Sequence, residues 1–147
     1  MSDKTIKFEI VTPERVVFRM EVKQVTVPTA QGEITVLPEH IPLVSNLLPG
    51  VIELVTVDGN IEIISVSGGF LEVLKNKVVI LADTAERAEE IDLKRAEEAR
   101  ARAEKTKTEA KHAEDVSYTG SAAQLAKELA RIKAVRRHKA RKGPHVE

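Results

Sequence analysis

Any chemistry this chain performs must come from a short inventory of side chains. The four histidines are His40, His112, His138 and His145, and no two share the spacing that sets metal ligands on one helix face. Cysteine is absent, which removes thiolate nucleophiles, zinc–thiolate sites and disulfides together. There is no Gly-x-Ser-x-Gly elbow, no phosphate-binding glycine loop and no His-Glu-x-x-His. Gly68-Gly69 falls between two predicted strands and reads as backbone geometry at a bend or bulge. Carboxylates are plentiful, but in the C-terminal part they alternate with bases and read as a solvated face. The inventory argues against an independent enzyme, and it implies no metal and no required cofactor. One Tyr, three Phe and no Trp leave nothing on which to stack single-stranded nucleic acid.

The remaining chemical feature is a basic tail. From Arg131 to Glu147 there are seven bases and one acid. Lacking interleaved aromatics and joined to an acidic first half, the tail suits an acidic protein surface better than nucleic acid.

The elements that carry these residues follow from a break in composition. The 147 residues suffice for one domain with an appendage. Residues 1–84 hold 7 Lys/Arg against 11 Asp/Glu, and residues 85–147 hold 16 against 12. Fifteen of eighteen valines lie in the first part and fourteen of sixteen alanines in the second. Valine with Pro and Gly punctuation means strands, whereas Ala with Glu, Lys and Arg means helix. The expected fold class is α+β by segregation: an N-terminal antiparallel β-sandwich over 1–84, then a C-terminal two-helix hairpin with a basic tail over 85–147.

Strands are predicted at Lys4–Val11, Arg15–Met20, Glu21–Val27 (ending at Pro28), Glu33–Leu37, Val51–Val57, Ile61–Val66, Phe70–Leu74 and Val78–Leu81. In Val51–Val57 and Val78–Leu81 apolar residues occupy both parities, so each strand needs cover on both faces. The helices or another protein must supply the second cover. The first helix is expected to start at Asp83 or Thr84, with Glu86 closing an Asp-x-x-Glu box. Its seam is thin: Ala88, Ile91, Ala96, Ala99 and Ala103. A polar break at 115–120 precedes a second helix over Ser121–Lys139, capped by Ser121 and Gln124 and striped with Leu125, Leu129, Ile132 and Val135. Gly143-Pro144 marks the expected end of order. The charged N-terminus has no signal-peptide core, and no apolar run exceeds the five residues Val78–Ala82. A soluble, cytoplasmic protein is expected.

Three strings resemble the epsilon subunit family of bacterial F-type ATP synthases: Gly32-Glu-Ile-Thr-Val-Leu-Pro-Glu-His-Ile-Pro-Leu43, Val66-Ser-Gly-Gly-Phe-Leu-Glu-Val73 and Val78-Val-Ile-Leu-Ala-Asp-Thr-Ala85. The resemblance spans nearly the whole chain. One departure is Glu39, where the family commonly has Gly, with a local change of the loop expected. The resemblance implies a non-catalytic central-stalk subunit that couples rotor to catalytic head in proton-driven ATP synthesis. Its sandwich would bind the gamma subunit and the rotor-ring subunits, with Glu33 at the ring and His40 near gamma. Its hairpin would block hydrolysis when extended, Arg131, Lys133, Arg136 and Arg137 meeting acidic segments of the alpha and beta subunits. The resemblance places it on the cytoplasmic face of the bacterial cell membrane, peripherally and only through the complex.

Ile91-Asp92-Leu93-Lys94-Arg95-Ala96 matches the family's Ile/Leu-Asp-x-x-Arg-Ala motif, with supporting positions at Glu86, Arg102 and Arg131. The match implies ATP as a regulatory ligand. Lys127 stands where the family has a further arginine and loses its planar two-pronged donor. A plainer role for Asp92 and Arg95 is to fix a helix start. The competing reading of the whole chain is a freestanding β-sandwich protein-binding module with a coiled helical tail.

Overall fold

A computed structural model describes residues 4–109 and 116–143. His112, Asp115, Pro144 and His145 lie outside the described residues. Nine strands come first: β1 (Ile6–Val11), β2 (Val16–Thr29), β3 (Gly32–Val36), β4 (Leu43–Leu47), β5 (Gly50–Thr56), β6 (Ile61–Val66), β7 (Gly69–Leu74), β8 (Lys77–Ala82) and β9 (Ala85–Arg87). A 3-10 turn at Ala88–Glu90 leads to helices α1 (Leu93–Glu109) and α2 (Val116–Lys142). No helix among the described residues is long and apolar enough to cross a membrane.

The sandwich hangs on β2. Its first half pairs with β1 (Ile6 opposite Val22), and its second half pairs with β3 (Val25 opposite Val36) and β5 (Val25 opposite Leu54). One layer therefore runs β2-β1-β8-β7-β4, and the other runs through β3, β2, β5, β6 and β9. Phe8, Ile10, Val22, Val25, Val27, Ile52, Leu54, Ile64, Leu71 and Ile80 fill the space between. Alternation puts Ile6, Phe8 and Ile10 inside and leaves Lys7 exposed.

Several expectations need correction. The segments Arg15–Met20 and Glu21–Val27 are one strand that continues through Pro28. A proline lacks only the N–H, and the Pro28 carbonyl still accepts from Leu48 N–H at 3.0 Å. The ladder between β1 and β8 is parallel, within an otherwise antiparallel set. Strand β4 was not foreseen, because Ser45 and Asn46 interrupt its apolar pattern, yet it pairs with β7 over its full length. Residues 85–87 form a strand on the edge of β6, not the first turn of a helix. Helix α2 begins at Val116, before Ser121, which is buried inside the helix and does not start it.

Strand β5 receives the double cover its sequence requires, and β6 beside it shares that cover. Ile52, Leu54 and Ile64 face the sandwich core, while Val51, Ile61 and Ile63 face a second apolar layer with Ala88, Ile91, Ala96, Ile132, Ala134 and Val135. Strand β8 differs. Its outward Leu81 stays 52% exposed beside Phe70, its partner on β7, at 56%.

Gly69 is a geometric requirement. Its φ of 140° lies in a region other residues avoid, and a Cβ there would sit 1.9 Å from the Leu81 carbonyl oxygen. Gly69→Ala must therefore push β7 off β8. The expected loss is about 3 kcal/mol or more, read by thermal unfolding of parent and variant.

Candidate functional site

The residues singled out for function fall on three surfaces. The first is the seam between hairpin and sheet. Strand alternation in β9 aims Glu86, opposite Ser65, at the helices, while Arg87 turns to the other face and meets Glu62 at 3.1 Å. Glu86 thus reaches Arg131 of α2, with Arg131 Nε 2.7 Å from Glu86 Oε2 and Nη2 3.4 Å from Oε1. The Nε–H itself has no aligned acceptor, so this contact is chiefly one of charge. On its other edge Arg131 Nη1 donates to Glu128 Oε2 at 2.8 Å, and Gln124 Nε2 donates to Glu128 Oε1. Burial opposes the charge on Arg131, but the hydrogen bond to Glu128 and the two carboxylate charges outweigh it and hold its pKa above the ordinary value.

Glu128 is the residue that sequence reading missed. It is 2% exposed, while Leu129, expected in the apolar stripe, is 47% exposed. The helix is turned from the face its leucines suggested. Ala130, Ile132, Ala134 and Val135 are its buried apolar residues, and Leu125 is only half-buried. The signal was present in outline, since Glu128 lies three residues before Arg131 and an inward cation needs an acid nearby.

Three further arginines of α2 also lie beside acids of this chain. Arg137 lies 3.9 Å and Arg141 2.7 Å from Glu53 on β5, and Arg136 lies 4.0 Å from Glu97 on α1. Lys133 is exposed.

The second surface is the start of α1. Asp92 Oδ1 accepts the Arg95 N–H at 3.2 Å and so caps the helix. The Arg95 side chain, 83% exposed, lies 3.9 Å from Asp92 Oδ2. Ile91 and Ala96 are buried in the layer over β5 and β6. Arg102 lines a groove of about 350 Å³ between the helices, beside Ser121 and Gln124. The structure thus joins Glu86 to Arg131, Asp92 to Arg95 and Ile91 to Ala96, as separate contacts.

The third surface is the sandwich. Glu33 is exposed on β3, and His40 sits in the turn after it, Nδ1 2.6 Å from the Ile41 carbonyl. The neighbouring Glu39 has φ 66°, the left-handed conformation that favours Gly. Two contacts hold Glu39 there: its N–H donates to Lys75 O at 3.0 Å, and its carboxylate takes Lys4 Nζ at 2.6 Å. Around this loop and across the outer face of β4, β7 and β8 lie exposed apolar residues: Leu37, Ile41, Val44, Phe70 and Leu81.

A sandwich joined to a helical hairpin in this order is matched by two family profiles. Residues 5–88 match the beta-sandwich domain of the ATP synthase delta/epsilon chain, and residues 89–136 match its long alpha-helix domain. The epsilon chain of Herpetosiphon aurantiacus is 44% identical over 135 residues, covering 91% of this chain and 98% of that one. The chain belongs to the epsilon subunit family of bacterial F-type ATP synthases. The epsilon chain of Carboxydothermus hydrogenoformans is 54% identical over 103 residues, 70% of this chain and 75% of its own. Among solved structures, a chain of the Euglena gracilis mitochondrial ATP synthase superposes with a TM-score of 0.73 at 23% identity, covering 86% of this chain and 78% of that one. A chain of the Tetrahymena thermophila mitochondrial enzyme gives 0.56 at 10%, covering 92% and 99%. At such identities these two speak for the fold alone.

The Glu39 carboxylate is held below its ordinary value of 4.5 first by the hydrogen bond from Lys4, then by the charges of Lys4 and Lys75. A lowered acid contributes stability that is present above its unfolded pKa and lost as pH falls through the folded one. Glu39→Gln should thus melt below the parent by a small, constant margin near neutral pH, and the gap should close in acid. Thermal melts of both proteins across that range check this.

Proposed function

We propose that this chain is a non-catalytic central-stalk subunit of the proton-translocating ATP synthase, coupling rotor to catalytic head and restraining ATP hydrolysis through its C-terminal helices. One observation carries the regulatory part. The docked hairpin meets the sheet through a short apolar layer in which Ala88, Ala96 and Ala134 stand beside Ile91, Ile132 and Val135, and Arg131, Arg136 and Arg137 each lie beside an acid of this chain. Alanine-rich seams remove little apolar area from water, so docking is weak enough to reverse. Undocking from the sheet frees Arg131 and Arg137, and parting of α2 from α1 frees Arg136, for acidic segments of the alpha and beta subunits, together with Lys133. Such contacts weaken with salt.

The exposed patch of Val44, Phe70 and Leu81 is the face we assign to the gamma subunit, with His40 near gamma, and Glu33 to the rotor-ring subunits. Binding through these surfaces would hold the protein at the cytoplasmic face of the bacterial membrane, peripherally, by way of the complex alone. In this reading it has no active site.

ATP hydrolysis by a matched catalytic complex stripped of its own epsilon subunit tests the proposal. The full chain should bind and slow hydrolysis, whereas a chain ending after Arg87, which keeps β9, should bind without slowing it. Failure of the full chain to bind would return the freestanding-module reading. Binding without inhibition would leave a purely coupling role.

ATP as a regulatory ligand of the docked form is part of the same proposal, with Glu86, Ile91, Asp92, Arg95, Ala96, Arg102 and Arg131 as its residues. Arg95 is exposed and free to swing from Asp92 to a phosphate. Arg95→Ala should weaken ATP binding about tenfold by removing one charge-assisted contact. Equal affinity of variant and parent in a calorimetric titration would remove Arg95 from the site.

A further inference from the structure

We infer that the buried carboxylate of Glu128 is the positioning residue of a latch that holds the helical hairpin on the sheet. Glu128 lies on α2 among the residues turned inward and is 2% exposed, where a helix with Leu129 next door had an apolar alternative. An ionised group at such a depth persists only with partners. Glu128 has two: Gln124 donates to one carboxylate oxygen and Arg131 to the other.

Both partners are on the same helix, so Glu128 tethers nothing by itself. Its effect passes through Arg131. With Nη1 fixed on Glu128 at 2.8 Å, the guanidinium presents its Nε edge to Glu86 on β9, 2.7 Å away. That second contact joins elements 45 residues apart and closes the seam between hairpin and sheet. Glu128 thus removes the rotamer freedom of Arg131 before it meets Glu86, which makes the tether stronger than one long exposed side chain could. When α2 leaves the sheet, Arg131 loses Glu86. Leu129, exposed in the docked form, is then free on the same helix.

The test is hydrogen exchange on the full, isolated chain, read at the amides of Arg131–Val135 in α2 and at Val25 and Leu54 in the sandwich. A helix that undocks loses its tertiary support and exchanges faster. Glu128→Gln keeps the volume and a polar partner for Gln124 but removes the charge that fixes Arg131. The expected result is about tenfold faster exchange in α2, the scale of one charge-assisted contact, with the sandwich unchanged. Glu86→Gln, on the other side of the seam, should act in the same direction. Parent-like exchange in Glu128→Gln would mean that the residue only fills space and would overturn the latch. Faster exchange in Glu128→Gln but not in Glu86→Gln would overturn it too, because the effect would then be confined to the helix.

The consequence for hydrolysis rests on the regulatory role proposed above. In the assembled complex, Glu128→Gln should inhibit more strongly than the parent. A loosened α2 with unchanged hydrolysis would uphold the latch and count against the regulatory role.

Discussion

Strands β5 and β6 are apolar on both faces, and that constraint organises the molecule. One face supplies Ile52, Leu54 and Ile64 to the sandwich core. The other would leave Val51, Ile61 and Ile63 in water unless something covered them, and the covering layer is the hairpin, with Ile132, Val135 and Ile91. The domain is therefore three layers over that pair of strands. The third layer is held by a few aliphatic side chains, alanines and ion pairs, which makes it the part most easily removed.

The distribution of charge explains how such a layer is placed specifically. Apolar contact over alanines is non-directional and sets no register. Register comes from Glu86 and Glu53 on the sheet, which receive Arg131, Arg137 and Arg141 at set places along α2. Each pair is partly solvated or shared, so none locks the helix by itself. The second apolar surface, across Val44, Phe70 and Leu81, has no such cover among the described residues, and it lies on the layer opposite to the hairpin. The fold thus separates an apolar face covered by the hairpin from an apolar face that stays exposed.

Much of this was legible beforehand because it is local. The alternation in Ile6–Ile10, the two-faced pattern of Val51–Val57 and the Gly68-Gly69 bend are properties of neighbouring residues, and the structure keeps all three. The errors cluster where a distant partner outvotes local pattern. Residues 85–87 look like a helix cap until the free edge of β6 takes them as a strand. Leu43–Leu47, whose pattern Ser45 and Asn46 interrupt, is a strand because β7 pairs with it. In the site, the Asp92 and Arg95 pairing follows from an i,i+3 spacing, whereas the Glu86–Arg131 contact spans 45 residues and depends on which face β9 turns to the helices.

By itself the sequence determined the segregation of strands from helices, the need for a cover on β5, and the family strings with their charged helical partners. Those are set by side-chain shape, by period and by composition, which act over a few residues. Only the tertiary structure decided how α2 is rotated. Placing Glu128 inward and Leu129 outward opposes the simple hydrophobic pattern; in that rotation Ile132, Ala134 and Val135 meet the sheet and Arg131, held by Glu128, reaches Glu86. The Arg131–Glu86 contact and the apolar layer over β5 and β6 join residues far apart in sequence, so no window along the chain contains them.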